Sequence, residues 1–353
     1  MMTWLRQAAV VVLSLGTAVA VAETRINGAG ATFPNPIYQR WVVDYQKAHP
    51  DVKIDYQSIG SGGGIKGISD KTIDFAGSDA PMNKKELQAA GAPVVHIPTV
   101  AGSVVMAYNL PGFQGEIRLT GQLIADIYVG RIAKWNDAKI GAINAGANLP
   151  DLGITPVWRT DGSGTSFVFT NYLVTQSDEF AGSIGAGKQV KWPVGQGGKG
   201  NDGVTAVVQS TPGAMGYVEM NYATANKIPF ALVRNRDGRF VKASADTVAA
   251  AGEGVLEQMK QTLAVDLWNQ PGENAYPIAA FTYVIVYHDL AYLKDPNKAK
   301  ALVGFLNWAT SKDGGQSMAS SMDYAPLSPG VQKKVKAALD SLMWQGKEIA
   351  PAQ

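Results

Sequence analysis

Two long apolar runs rich in β-branched residues frame this 353-residue chain: IPTVAGSVVMAYN at Ile97–Asn109 and FTYVIVY at Phe281–Tyr287. Neither alternates apolar with polar, so each reads as a strand buried on both faces of a helix-covered sheet. About 170 residues of mixed strand and helix pattern separate them. A chain that lays down one such strand, crosses to a second body and returns with another builds two lobes. A single doubly wound sheet would satisfy the periodicity equally well.

The remaining patterns are α/β in character. VKIDY (Val52–Tyr56) alternates as a strand, and Thr72–Ala76 reads as another before the polar turn GSDAP. Thr155–Trp158 and Ala214–Glu219 are further strands. Helical spacing appears at Asn83–Ala90, at Leu119–Asp137 with Gly130 as a break, in TSFVFTNYLV and at Ala299–Thr310. The tail VQKKVKAALDSLMW is amphipathic. No internal repeat is visible.

The first 25 residues, MMTWLRQAAVVVLSLGTAVAVAETR, carry an early arginine, an apolar stretch and small residues at Ala20 and Ala22. That layout predicts a signal peptide over residues 1–22, cleaved after Ala22. The apolar run is short of the roughly 20 residues that span a bilayer, and without cysteine there is no lipid anchor. The expected mature protein is exported to the periplasm and soluble. Lysine plus arginine number 31 against 29 acidic residues, which argues against a nucleic-acid surface. Zero cysteines and three scattered histidines (His49, His96, His288) argue against a metal site or a thiol nucleophile.

Three loop-to-helix junctions share one chemical style. GAGATFPNPIYQRW places Thr32 as the expected N-cap before Pro34; GSGGGIKGI places Ser61; DGSGTSFVF places Ser163 and Thr165. Helix starts leave N–H groups unpaired and carry partial positive charge, so they bind anions, and glycines allow close backbone approach. Arg159 in WRTDGSGTSF adds a planar donor fork, and Asp161 is placed to orient it through an ion pair. Other motifs fail. Gly62–Gly67 and Gly195–Gly200 both fit G-x-G-x-x-G without the acidic residue a dinucleotide site needs. GGKGND is not a P-loop, and GSGTS is not a nucleophile elbow, so no catalytic residue and no enzyme activity is expected.

Asp79, in AGSDAP, is the odd member. A turn aspartate ordinarily caps backbone. Facing an anion, an ionised carboxylate accepts hydrogen bonds only, so it suits an oxyanion that still carries a proton. Phosphate has such a proton at neutral pH and sulfate does not. A site built on such a bond rejects the unmatched analogue by roughly 10⁴-fold.

The segments GAGATFP, GSGGG, DFAGSDAP, RTDGSGTSF, KWPVGQGGKGNDGV and PGAMGYVE occur in this order, and with them the chain resembles the PstS family over essentially its whole mature length. These are periplasmic phosphate-binding proteins of bacterial ABC importers. The resemblance implies a type II, two-lobed periplasmic-binding-protein fold with phosphate in the cleft between lobes. Lobe I would take residues 23–108 plus 276–353 and lobe II residues 109–275. It implies ligands at Thr32, Phe33 (through its backbone N–H), Ser61 and Asp79 from the first lobe. From the second it implies Arg159, Ser163, Gly164 and Thr165, with Asp161 supporting Arg159. It further implies a monomer that delivers phosphate to permease subunits in the inner membrane, with no cofactor, metal or nucleic acid. Two positions depart from many relatives: Gly62, where they carry a second serine, and Trp158, where they carry arginine. The alternatives are a receptor for another oxyanion, or a secreted phosphate-scavenging protein or phosphatase on the same fold.

Overall fold

The computed structural model describes residues 23–260 and 262–349. The signal segment expected at residues 1–22 lies outside the described residues. The strands, in chain order, are β1 (Thr24–Gly30), β2 (Val52–Ser58), β3 (Phe75–Ser78), β4 (Val94–Tyr108), β5 (Arg118–Leu119), β6 (Thr155–Arg159), β7 (Gln196–Gly198), β8 (Ala214–Glu219), β9 (Leu232–Arg234), β10 (Phe240–Val241) and β11 (Ala279–Tyr287). A short antiparallel pair, Met343–Trp344 with Lys347–Glu348, follows near the end.

The main sheet has the order β2-β1-β3-β11-β4-β8-β6-β7. Its pivot is β4, which is buried from Ile97 to Tyr108. Residues Val94–Ser103 pair antiparallel with β11, whereas Val104–Tyr108 pair antiparallel with β8. One strand thus serves two half-sheets. In one, β1, β2 and β3 run mutually parallel; in the other, β6, β7 and β8 do. All nine residues of β11 are buried. The two apolar runs are therefore the paired central strands of the molecule, each starting two or three residues before the sequence pattern does.

The pairing of β4 with β11 slips between Thr282 and Tyr283, which oppose Val100 and Pro98 respectively. Thr99 is the extra residue of this bulge, beside a proline that cannot donate to the ladder. The bulge matters below, because Thr282 reaches the site.

Two expected elements are displaced. The strand expected over Thr72–Ala76 begins only at Phe75. Lys71 sits at φ 56° and Thr72 N–H closes a turn onto Gly67 O, so the first residues are spent reversing the chain. The helix expected over Leu119–Asp137 spans only Gly121–Tyr128, capped by Thr120, whose hydroxyl accepts from Leu123 N–H. Gly130 takes φ +83° and ends it. Trp135 still reaches the core, from a loop, with its indole N–H donating to Gly213 O at 3.0 Å.

Candidate functional site

Both half-sheets aim the carboxyl ends of their parallel strands at one place. In each, the chain reverses its order about one strand, β1 between β2 and β3 and β6 between β8 and β7, and such switch points leave a crevice outside the strand ends. Thr32 follows β1, the helix Ser61–Ser69 follows β2 and Asp79 follows β3. Across from them, Arg159 ends β6, the helix Gly164–Val174 follows it, and the helix Gly200–Ser210 follows β7.

The approach is close. A Cβ on Gly164 would lie 2.4 Å from Asp79 Oδ2 and 2.4 Å from Ser61 Oγ, so only glycine fits there. Gly60, at φ +90°, lies against the Asp161 carboxylate, and Gly62 N–H donates to Gly162 O at 2.8 Å. Gly62, one of the two departures, is thus the residue packed on Gly162. Trp158, the other, donates its indole N–H to Val194 O at 3.0 Å.

The structure brings together all the residues picked out from the sequence. Thr32, Ser61, Asp79, Arg159, Ser163 and Thr165 are all buried. Among the described residues, the backbone N–H groups of Phe33, Ser61, Gly164 and Thr165 have no acceptor. They lie at or just before helix starts, where unpaired amides and the aligned peptide dipoles favour negative charge.

Arg159 is held as a fork. Its Nε donates to Asp161 Oδ1 at 2.7 Å, Nη2 donates to Asp161 Oδ2, and Nη1 donates to Thr165 Oγ1 at 3.1 Å. Gly200 N–H adds a bond to Asp161 Oδ1 at 3.0 Å. Burial pushes the Asp161 carboxyl up, but the bonds and charge of Arg159 outweigh it and hold the group below the usual carboxylate range.

Asp79 is the opposite case. Burial pushes its carboxyl up to about 7, against the Thr282 hydroxyl, the charge of Arg159 and Ser61, which all pull it down. Thr282 Oγ1 donates to Asp79 Oδ1 at 2.7 Å, and Asp79 N–H donates to Ser61 Oγ at 3.2 Å.

Thr32 is not the N-cap it was expected to be. Pro34 holds that position without a side-chain bond, and Pro36 in the first turn has no N–H for a cap to accept. Thr32 Oγ1 instead accepts from Asn201, from N–H at 3.1 Å and from Nδ2 at 2.7 Å. Ser163 does cap its helix, accepting from Ser166 N–H at 2.9 Å.

Sequence reasoning missed several neighbours. Asn201 sits in GGKGND, a segment dismissed as a failed P-loop; its polar residue at a helix start was the available signal. Thr282 is hidden inside an apolar strand. Tyr222 donates to Thr32 O at 2.6 Å and Tyr324 to Phe33 O at 2.7 Å, fixing the loop between β1 and its helix. Nothing local in sequence marks those two tyrosines. Among the described residues, no cluster of three or more histidine, cysteine or acidic side chains could hold a metal.

Two α/β half-sheets joined by a shared strand, with a buried cluster of donors between their strand ends, define a two-lobed solute-binding protein. Residues 17–313 match the PBP superfamily domain, and the chain is a member of that superfamily. It is 42% identical over 321 residues to phosphate-binding protein PstS of Pasteurella multocida, covering 91% of each chain. The chain belongs to the PstS phosphate-binding protein family. Among solved structures it is similar to a high affinity periplasmic phosphate-binding protein with phosphate bound at pH 8.5 (TM-score 0.69, 21% identity, 89% of this chain and 93% of that one). It is also similar to a candidate phosphate ABC transporter substrate-binding protein of Clostridium perfringens with bound phosphate (TM-score 0.63, 19% identity, 86% and 100%). At those identities the structural likeness establishes the two-lobed fold.

Proposed function

We propose that the protein binds inorganic phosphate between its lobes and serves as the substrate-binding protein of a phosphate ABC transporter. The observation that carries this reading is the composition of the cleft. Arg159, the hydroxyls and the unpaired amides are donors, whereas Asp79 offers an acceptor. A monohydrogen oxyanion matches that set, with its bare oxygens on the donors and its one proton on Asp79. Sulfate, with no proton to give, would set oxygen against oxygen at Asp79. The direct ligands are Thr32, Phe33 N–H, Ser61, Asp79, Arg159, Ser163, Gly164 and Thr165, with Asp161 fixing Arg159.

The described residues of 23–108 and 276–353 form lobe I and those of 109–275 form lobe II, and the change of pairing partner near Ser103 and Val104 of β4 supports a hinge close to that boundary. The protein works as a periplasmic monomer that docks on the permease subunits of its importer. Among the described residues no helix is long and apolar enough to cross a membrane.

Calorimetry on phosphate-stripped protein at pH 8 with phosphate, arsenate and sulfate tests the reading. Phosphate and arsenate should bind, and sulfate should bind roughly 10⁴-fold more weakly or not at all. Absence of phosphate binding overturns the function; sulfate within tenfold of phosphate overturns the role of Asp79.

A further inference from the structure

Asn201 touches both walls of the cleft. It is fully buried at the start of the helix Gly200–Ser210. Its Oδ1 accepts from Glu219 N–H at 3.0 Å, which fixes which end of the amide is which. The Nδ2 end therefore faces the cleft. One of its hydrogens goes to Thr32 Oγ1 at 2.7 Å and the other to Thr165 Oγ1 at 3.2 Å.

A hydroxyl has two lone pairs and one hydrogen. Thr32 Oγ1 receives both the backbone N–H and the Nδ2 of Asn201, which fills its lone pairs. Thr165 Oγ1 receives Asn201 Nδ2 and Arg159 Nη1, which fills its own. Neither hydroxyl donates to any acceptor among the described residues. What each has left is its hydrogen.

We infer that Asn201 is the positioning residue that converts the hydroxyls of Thr32 and Thr165 from groups able to donate or accept into donors only. The inference rests on the phosphate reading and deepens it. Donor-only hydroxyls on both walls exclude a protonated oxygen from those corners of the ligand. The single proton of a monohydrogen oxyanion is thereby directed to Asp79. Asn201 thus sets the orientation of the ligand without touching it.

The test is phosphate titration calorimetry of Asn201→Ala in the wild-type, Thr32→Val and Thr32→Val/Thr165→Val backgrounds. The first substitution should weaken binding roughly 10- to 100-fold, the loss of one charge-assisted bond or its equivalent. On Thr32→Val the same change should cost measurably less, because one of the two hydroxyls it acts on is gone, and on Thr32→Val/Thr165→Val it should cost less than a third of that factor. Equal cost in all three backgrounds means Asn201 merely packs, and overturns the inference. Asn201→Asp is the second variant, nearly isosteric and able to keep the Glu219 N–H bond. At pH 8 it offers no side-chain donor and should bind phosphate at least as weakly as Asn201→Ala. Wild-type affinity in Asn201→Asp overturns the donor role even if Asn201→Ala does not fold. Wild-type protein that fails to bind phosphate would instead sink the functional reading itself.

Discussion

The hydroxyl of Thr282 donates to Oδ1 of Asp79 at 2.7 Å, joining a central strand to the loop after β3. The bulge at Thr99 lies at the same point of the β4–β11 ladder. This bond occupies one carboxylate oxygen and leaves Oδ2 against the start of the Gly164 helix. Asp79 is therefore oriented before any anion arrives, and its charge is the expensive part of the site.

That expense has a sign. The folded Asp79 carboxyl titrates at about 7 against an ordinary 3.8, because burial disfavours its charge. Its contribution to stability is fully present below pH 3.8 and is lost as pH rises through 7. The swing is on the order of 4 kcal/mol at most. Phosphate-free wild-type protein should thus lose melting temperature between pH 5 and pH 8. Asp79→Asn, which keeps an acceptor for Thr282, should lose less and melt higher than wild type at pH 8. It should bind phosphate at least tenfold more weakly. A lower melting point for Asp79→Asn at pH 8 would contradict the assignment.

Arg159 gives the complementary case. Its guanidinium is almost wholly buried and its pairing in the protein is with Asp161. Removing one partner of such a pair costs roughly 3–5 kcal/mol because the other charge is left buried. Asp161→Asn should therefore melt well below wild type without phosphate. On the proposed reading phosphate supplies a replacement anion for Arg159, so the rise in melting temperature on adding it should exceed the wild-type rise. Equal ligand-induced shifts in the two proteins would mean the anion does not reach Arg159.

The cleft also carries an ion pair away from the anion. Lys188 Nζ bonds Glu86 across 102 residues of sequence, with side chains 18% and 22% exposed. The carbonyl of Lys188 accepts from Ser163 N–H at 2.9 Å, so the pair is tied to the start of the Gly164 helix. A half-buried pair of this kind is worth about 1 kcal/mol. Glu86→Gln keeps the acceptor for Asn83 N–H in the capping box and removes the carboxylate oxygen that Lys188 bonds. Stopped-flow release of phosphate should speed up roughly two- to fivefold. An unchanged release rate at low salt would show that the pair does not hold the cleft shut.

How far these features could be read from the chain depends on whether their cause is local. The buried strands announced themselves because burial on both faces demands continuous apolar sequence, and the capping serine of DGSGTS because a cap acts within three residues. Thr32 misled for the same reason. Its spacing suits a cap, but Pro34 and Pro36 have no N–H for its hydroxyl to accept, and its true partner lies 169 residues away. Thr282 was invisible as a site residue, and Asn201 showed only as a polar residue at a helix start, because their roles exist only once β11 and the Gly200 helix are packed. The Leu119–Asp137 pattern breaks at Gly130, as its sequence indicates, and beyond the break Trp135 reaches core through a loop that periodicity cannot distinguish from helix.

Glu219 extends the site's logic to the loop that carries Phe33. Its Oε2 accepts from Asn221 N–H at 2.9 Å and lies 3.1 Å from the Tyr324 hydroxyl. Tyr324 also donates to Phe33 O at 2.7 Å, and it has one hydrogen for two oxygens. The count closes if Glu219 is protonated and donates to Tyr324, which in turn donates to Phe33. Burial pushes the Glu219 carboxyl well above its ordinary range, in the same direction. The stability this group contributes is present below pH 4.5 and lost only as pH passes the raised folded value. Glu219→Gln mimics the neutral acid in charge, but at the Oε2 position an amide cannot both donate to Tyr324 and accept from Asn221 N–H, so one of those bonds is lost. It should melt below wild type at pH 6 by the roughly 1 kcal/mol of one hydrogen bond, and the gap should close or reverse at alkaline pH, where the wild-type carboxyl gives up its proton. Glu219→Ala leaves the Asn221 amide and Tyr324 short of a partner and should cost roughly 1–3 kcal/mol at both. If the gap between Glu219→Gln and wild type does not narrow as pH rises, the buried carboxyl is already ionised and the proton chain to Phe33 does not exist.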